Sequence, residues 1–291
     1  MEKKYKFSPK RFAIYYVYSL FLLILLSTAF SLYLHYSNVT EPIKSQISTG
    51  EVPQAIDQGL IFLGAVLIST LIILYIIIKK QYYLIRLIYI SVFSLASFIF
   101  LALFLNPFYD YAAHFSQNLS FALTLFINFS LSVFLIYGIF YAKNTVLQNH
   151  ALIVLSCIMG SILGEILQLI QLIIFILIFA VYDLVAVFVG PLKRIAKEIE
   201  NAESALSTDG GYSFTRGMFI NIFNIEIGIG DLLFYSAIAA NLGLLGLIGF
   251  LYSFISITLG GIITIILAQK FKIFPGLPIP VFLTVLLVMV F

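Results

Sequence analysis

Long apolar runs are the feature that most limits how this chain can fold. Of its 291 residues, 62% are hydrophobic and only 10% are charged, a balance that no soluble globular domain needs. Several runs are long enough to cross a bilayer. The first run lacks an obvious cleavage site and exceeds a signal-peptide core, so it is interpreted as an uncleaved span. We predict an all-α polytopic membrane protein with nine transmembrane helices, at residues 12–35, 59–78, 82–105, 118–142, 147–164, 168–189, 225–241, 247–269 and 275–291.

The distribution of lysine and arginine predicts the orientation of these spans. Nine spans put the two termini on opposite sides of the membrane. With a cytosolic N-terminus, every basic residue except Lys44 falls in a cytosolic segment or an adjoining span end, as the positive-inside rule requires. The C-terminus is then outside. The residues on the cytosolic side are Lys3, Lys4, Lys6, Lys10, Arg11, Lys79, Lys80, Arg86, Lys143, Lys193, Arg194, Lys197, Arg216, Lys270 and Lys272.

The spans divide the chain into three parts. Residues 1–189 hold helices one to six, residues 190–224 form a cytosolic loop, and residues 225–291 hold helices seven to nine. Near the end of the loop, residues 218–225 are predicted to form a short β-prone or membrane-surface segment.

Several other residues receive a structural interpretation. Cys157 is the only cysteine and is expected to pack in a helix. Asp110 is expected in a solvated outer loop at 106–117, and Glu165 near a span end where it reaches interfacial water. Close helix packing accounts for a set of small residues, namely Gly243, Gly246, Gly249, Gly260 and Gly261.

The sequence lacks the motifs of several other enzyme classes. It has no H-E-x-x-H zinc motif and no G-x-S-x-G serine elbow. It also has no Walker loop and no G-x-G-x-x-G. We therefore expect no metal, no cofactor and no nucleic-acid partner.

Two aspartates inside apolar spans carry the functional argument. A carboxylate in hydrocarbon costs at least about 2.5 kcal/mol, so a working role is expected. Asp183 lies near the cytosolic end of span six and Asp231 near the cytosolic start of span seven. At 1.5 Å per residue, both lie roughly 10 Å below the same membrane face. Adjacent antiparallel helices would bring them together, where they could share one proton and activate water. A packing pair, an ion site or a transport pathway would also place them there.

Residues near these aspartates favour a locally unwound backbone. Gly228 and Gly230 precede Asp231, and glycine weakens a helix and permits close backbone approach. Residues 275–280, with three prolines, disfavour a regular helix start. A membrane-embedded substrate must unwind before its peptide bond can be cut, and an extended segment near Asp231 could then bind it by strand addition.

Three motifs in this order resemble those of the presenilins and their archaeal homologues, the GxGD intramembrane aspartyl proteases related to signal peptide peptidase. The first is Tyr182-Asp183, the second Gly228-Ile229-Gly230-Asp231, and the third Pro275-Gly276-Leu277-Pro278. In the third, Gly276 stands where the family has alanine, a change expected mainly to loosen the turn. Signal peptide peptidases share the first two motifs but have the opposite orientation.

The resemblance implies a function and a set of site residues. It makes Asp183 and Asp231 the catalytic dyad and the substrate a single transmembrane helix within the lipid bilayer. The supporting or substrate-binding residues would be Tyr182, Gly228, Gly230, Pro275, Gly276, Leu277 and Pro278.

The sequence therefore predicts an intramembrane aspartic endopeptidase. The alternatives are an ion or proton-coupled transporter or channel that uses the same aspartates, and a catalytically inactive scaffold. Presenilins can be cut in their large cytosolic loop, but the 190–224 loop here is shorter, which argues against cleavage of this loop by the protein itself. The expected partners are membrane-protein substrates and the lipid bilayer, with accessory subunits or a homo-oligomer as alternative assemblies.

Overall fold

The computed structural model describes residues 9–38, 40–41, 52–114, 117–188, 216–222, 225–271 and 274–289. Most of the predicted 190–224 loop lies outside these residues. The described part contains nine helices and one two-stranded antiparallel sheet. In chain order, they are α1 (Pro9–Ser37), α2 (Val52–Ile78), α3 (Tyr82–Ala113), α4 (Gln117–Phe140), α5 (Thr145–Ile166), α6 (Leu169–Phe188), β1 (Phe219–Ile222), β2 (Ile225–Gly228), α7 (Ile229–Gly243), α8 (Leu247–Phe271) and α9 (Pro278–Met289).

The helices follow the predicted order, and the chain is a multi-pass membrane protein. Seven of the described helices are long and apolar enough to cross a bilayer. Their lipid-facing sides are covered with large apolar side chains, most densely on α2 and α4. Such surfaces require a hydrocarbon solvent rather than water.

Two of the nine predicted spans are shorter than expected. Helix α7 has 15 residues and α9 has 12, or about 22 Å and 18 Å against a hydrocarbon core of about 30 Å. Residues 225–228 belong to β2 instead of a helix. Helix α9 starts at Pro278, because proline suits the first helical position and disfavours the helical conformation in the residue before it.

Two further predictions concern acidic residues near the ends of helices. The predicted outer loop at 106–117 is helical as far as Ala113, so Asp110 is exposed on α3 and does not lie in a loop. Glu165 does not reach interfacial water. Its side chain is fully buried and accepts hydrogen bonds from Ser31, at 3.1 Å, and from His35, at 3.0 Å. The prediction missed these partners because both come from α1.

The core is a three-helix unit of α1, α5 and α7, in which α5 and α7 form the most extensive helix contact. Small residues let their backbones approach closely. A Cβ added at Gly164 would press on the backbone carbonyl of Ala237 and lie 3.0 Å from Cβ of Ala240. Gly160 lies equally close to Ser236. Packing against neighbouring helices therefore fixes the position of the short helix α7 along its axis, which its own length does not determine.

Hydrogen bonds between small polar side chains link the three core helices. Ser27 of α1 and Ser236 of α7 are joined through their hydroxyls at 2.7 Å. Ser161 of α5 donates to the carbonyl of Ser27 at 3.0 Å. Cys157 is buried between these helices, which confirms its expected packing role. At the opposite end of α7 from Asp231, Asn241 donates to the carbonyls of Gly164, in the last turn of α5, and of Leu167, directly after that helix.

The glycines assigned to close packing mostly have that role. Gly243 faces Thr28 of α1, Gly260 faces Pro280 of α9, and Gly261 faces the hydroxyl of Tyr16 on α1. Gly246 differs, because its φ of +77° forms the turn between α7 and α8.

A matched pair of glycine variants tests the close contact between α5 and α7. Gly164→Ala should lower the free energy of unfolding by about 1–3 kcal/mol, since the added methyl group forces backbones apart. Gly64→Ala on α2 meets nothing within 4 Å and should be neutral or stabilising by up to about 1 kcal/mol. Thermal unfolding in detergent measures both. Equal effects of the two variants would contradict this account of the core.

Candidate active site

The two predicted aspartates lie on neighbouring helices. Asp183 is in α6, five residues before its last described residue, Phe188, and Asp231 is the third residue of α7. Both side chains are half-buried, and they lie close enough for their charges to interact. Two carboxylates from separate helices thus share one partly buried site.

The residues that connect α8 to α9 bring the two carboxylates together. The backbone N–H of Leu277 donates to Oδ2 of Asp183 at 3.3 Å, and the backbone of Gly276 also hydrogen-bonds this carboxylate. Asp231 lies against Gly276. Both aspartates therefore contact the same dipeptide, Gly276–Leu277. Pro275 is buried beside it, and Pro278 begins α9 immediately after it.

Gly276 leaves the space that the Asp231 carboxylate occupies. A Cβ added at this position would lie 2.5 Å from Cγ and 2.9 Å from Oδ1 of Asp231, closer than real Cβ atoms come to other heavy atoms. The expectation that glycine here mainly loosens the turn is therefore wrong. The absent side chain instead allows a carboxylate to lie directly on the backbone.

Two tyrosines that sequence reasoning missed complete this site. Tyr235 is buried, and its hydroxyl donates to the carbonyl of Gly276 at 2.8 Å. It follows Asp231 by four residues, so the two share one helix face, a spacing that could have identified it. Tyr16 of α1 is also buried and lies close enough to Asp231 for electrostatic interaction. No sequence signal connects Tyr16 with Asp231, which is more than 200 residues away.

Tyr182 supports α6 from the other side. Its hydroxyl is 3.2 Å from Oγ1 of Thr70 on α2. Thr70 already donates its only hydroxyl proton to the carbonyl of Val66, so Tyr182 is the donor in this pair. The hydrogen bond joins α6 to α2 beside Asp183. Tyr182 thus positions its helix, and no hydrogen bond between it and the Gly276–Leu277 dipeptide is observed.

A β-hairpin leads directly into α7. Strands β1 and β2 pair antiparallel with Asn221 opposite Glu226 and Phe219 opposite Gly228. The β-prone prediction is thereby confirmed for 219–222. Gly228 precedes α7 as its N-cap, and a Cβ there would lie 3.7 Å from Oδ2 of Asp231. Gly230 has no neighbour within 4 Å of an added Cβ, so packing does not explain its presence.

This arrangement suits acid–base chemistry on a peptide bond. Two carboxylates that share one proton can supply a base for water and an acid for a carbonyl. Within the described ranges, no group of three His, Cys, Asp or Glu residues could hold a metal ion.

Comparison with known proteins gives a structural neighbour but no sequence relative. The fold is similar to a solved structure described as a presenilin family intramembrane aspartate protease, with a TM-score of 0.57. The match covers 93% of this chain and 96% of that one, at 15% sequence identity, so the similarity is one of fold. No family model matches the sequence, and no curated protein does.

Removing one hydroxyl tests the support of the Gly276–Leu277 dipeptide. Tyr235→Phe leaves a buried carbonyl without its donor and should destabilise the protein by about 1–3 kcal/mol. Tyr18→Phe, on the half-exposed face of α1, is the control and should change stability by less than about 0.5 kcal/mol. Thermal unfolding of both variants measures the difference. An unchanged midpoint for Tyr235→Phe would show that its hydrogen bond does not stabilise this connection.

Proposed function

We propose that this protein is an intramembrane aspartic endopeptidase. Its substrates would be membrane proteins with a single transmembrane helix, cut within that helix. One observation carries the proposal: Asp183 and Asp231 come from separate helices and contact the same dipeptide, Gly276–Leu277. The fold-level similarity to an intramembrane aspartate protease supports it independently.

The two carboxylates provide a complete acid–base cycle. The ionised carboxylate takes a proton from water, and the water oxygen attacks the scissile carbonyl carbon. The protonated carboxylic acid hydrogen-bonds the carbonyl oxygen and gives up its proton as the charge develops. When the tetrahedral gem-diol intermediate collapses, the C–N bond breaks and the leaving amine receives a proton from one carboxyl group, while one hydroxyl of the gem-diol returns its proton to the other carboxylate. The pair then again holds one proton, and no cofactor is required.

The short helices give this chemistry a polar setting inside the membrane. Helix α7 begins with Asp231 in its first turn, and residues 274–277 before α9 are not helical. Irregular backbone is tolerated at membrane depth where it is enclosed by protein or lines a water-filled space. We place this region nearer the cytosolic face, following the charge distribution of the sequence.

The hairpin gives an unwound substrate replacement hydrogen bonds. A helical substrate must open before its carbonyl is accessible, which leaves backbone groups unsatisfied in the membrane. Strand β2 ends at Gly228, three residues before Asp231. We propose that the opened substrate adds as a strand beside β2, which delivers its peptide bond to the carboxylates.

Neutral isosteres of each aspartate test the dyad directly. Asp183→Asn and Asp231→Asn should each reduce cleavage more than about a thousandfold. With one carboxyl group replaced by an amide, the remaining one cannot both take a proton from water and donate one to the carbonyl. The substrate is a synthetic apolar helix of about 20 residues with lysine ends, in phosphatidylcholine vesicles, and products are read by mass spectrometry. Asp110→Asn, at an exposed position on α3, is the matched control and should cleave normally.

Two outcomes would overturn the proposal. Cleavage at the wild-type rate by either folded dyad variant would exclude a shared-proton mechanism. Ion flux through the wild-type protein, lost in both variants and without any proteolysis, would instead identify a transporter.

Restoring the side chain that Gly276 lacks should disturb the dyad. Gly276→Ala places a methyl group where the Asp231 carboxylate lies. Misplacement of a reacting group by about 1 Å can cost about a hundredfold in rate, so we expect kcat to fall about ten- to a hundredfold. The same vesicle assay measures it. Full activity in Gly276→Ala would show that Asp231 takes another position during catalysis.

A further inference from the structure

One side chain of α5 imitates a third strand of the hairpin. Asn149 donates from Nδ2 to the carbonyl of Asn221 in β1 at 2.8 Å, and its Oδ1 accepts from the N–H of Asn221 at 3.1 Å. A primary amide presents the same adjacent donor and acceptor as a peptide group. Both backbone groups of one strand residue are therefore bound as a neighbouring strand would bind them.

The strand register explains why Asn221 can make this contact. Asn221 is opposite Glu226, and Ile220 is opposite Ile227. In an antiparallel pair, successive positions alternate between those bonded across the pair and those whose groups point outward. The N–H of Ile229 donates to the carbonyl of Met218 at 3.0 Å. The pairs Ile220–Ile227 and Ile222–Ile225 are therefore bonded across the hairpin in the same way. The backbone N–H and carbonyl of Asn221, which lies between them, point to the outer edge of β1.

The same alternation assigns the two sides of the hairpin. Asn149 occupies the outer edge of β1, so strand addition there would require its displacement. The backbone groups of Glu226 and Gly228 point to the other side, away from β1. An added strand on that side comes directly beside the residues that precede Asp231.

Helix α5 is a suitable anchor for this register. It forms the most extensive helix contact with α7, which carries Asp231. Asn149 lies in the second turn of α5, and Asn144 caps the same helix by accepting from the N–H of Val146 at 2.9 Å. Helix α5 therefore holds the hairpin through Asn149, and it holds Asp231 through its packing against α7.

We infer that Asn149 is a positioning residue that closes the β1 edge, directs substrate addition to β2 and holds the register between substrate and dyad. This inference rests on the proposed function. Asn149 itself does not touch the reacting atoms. Its loss should therefore alter how a substrate binds and where it is cut more than how fast a correctly placed bond is broken.

The experiment compares two asparagines of the same helix. In the vesicle assay, Asn149→Ala should raise KM about five- to tenfold with kcat changed less than about twofold, the loss expected for one or two hydrogen bonds. It should also yield new products displaced by two residues, because a slip of two preserves the strand face. Asn144→Ala removes the cap of α5 without touching the hairpin, and should leave KM and the cleavage position unchanged.

A second measurement does not depend on proteolysis. Amide hydrogen exchange at Asn221 should become about tenfold faster in Asn149→Ala, while the amides of Ile220 and Ile222, which face β2, keep their protection. Asn149→Asp, which retains an acceptor but loses the donor, keeps the test available if the alanine variant folds poorly. It should slow exchange at Asn221 relative to alanine and still give displaced products.

The outcomes separate this inference from the function on which it rests. Unchanged amide exchange at Asn221 in Asn149→Ala would show that Asn149 does not anchor the outer edge of β1. Faster exchange with an unaltered KM and a single wild-type cleavage site would overturn the role in substrate register. Equal effects of Asn144→Ala and Asn149→Ala would mean that Asn149 acts only by stabilising helix α5. A wild-type protein that cuts no substrate would overturn the proposed protease, and hence the role in register, while leaving the anchor supported by exchange.

Discussion

The contact of two carboxylates with one dipeptide is the constraint on which the rest of this structure depends. Asp183 accepts the N–H of Leu277, and Asp231 lies where a side chain at residue 276 would be. Carboxylates are costly inside a membrane, so their retention requires polar partners at a defined position. Because those partners belong to the backbone between α8 and α9, the last helix must start at a defined point relative to α6 and α7. The hydroxyl of Tyr235 holds that same backbone from α7.

The packing of the core follows from this requirement. Helix α7 is too short to be located by the thickness of the bilayer, yet it carries Asp231 in its first turn. Its height is set by Gly160 and Gly164 of α5, whose lack of side chains brings the two backbones together. Membrane helices gain no hydrophobic free energy from packing on each other, so close contact and hydrogen bonds supply the stability. The paired hydroxyls of Ser27 and Ser236 are one such bond, and it also fixes α1.

The predictions from sequence succeeded where a local pattern is sufficient. Apolar runs located the helices, and the β-prone character of residues 219–222 was correct. They failed where a distant partner decides. Glu165 resembled an interfacial carboxylate, but Ser31 and His35 bury it. The length of α7 was overestimated because residues 225–228 run directly into the helix, and only their pairing with β1 makes them a strand.

The order of the apolar runs, the membrane location and the presence of an aspartate in each of two apolar helices all follow from the linear sequence, because each depends on composition or on spacing within one helix. The role of Gly276, the capture of its carbonyl by Tyr235 and the closure of the β1 edge by Asn149 do not. Each requires atoms that are far apart in the chain to come within hydrogen-bond or van der Waals distance. Such distances are set by how whole helices pack, which no local pattern of residues specifies.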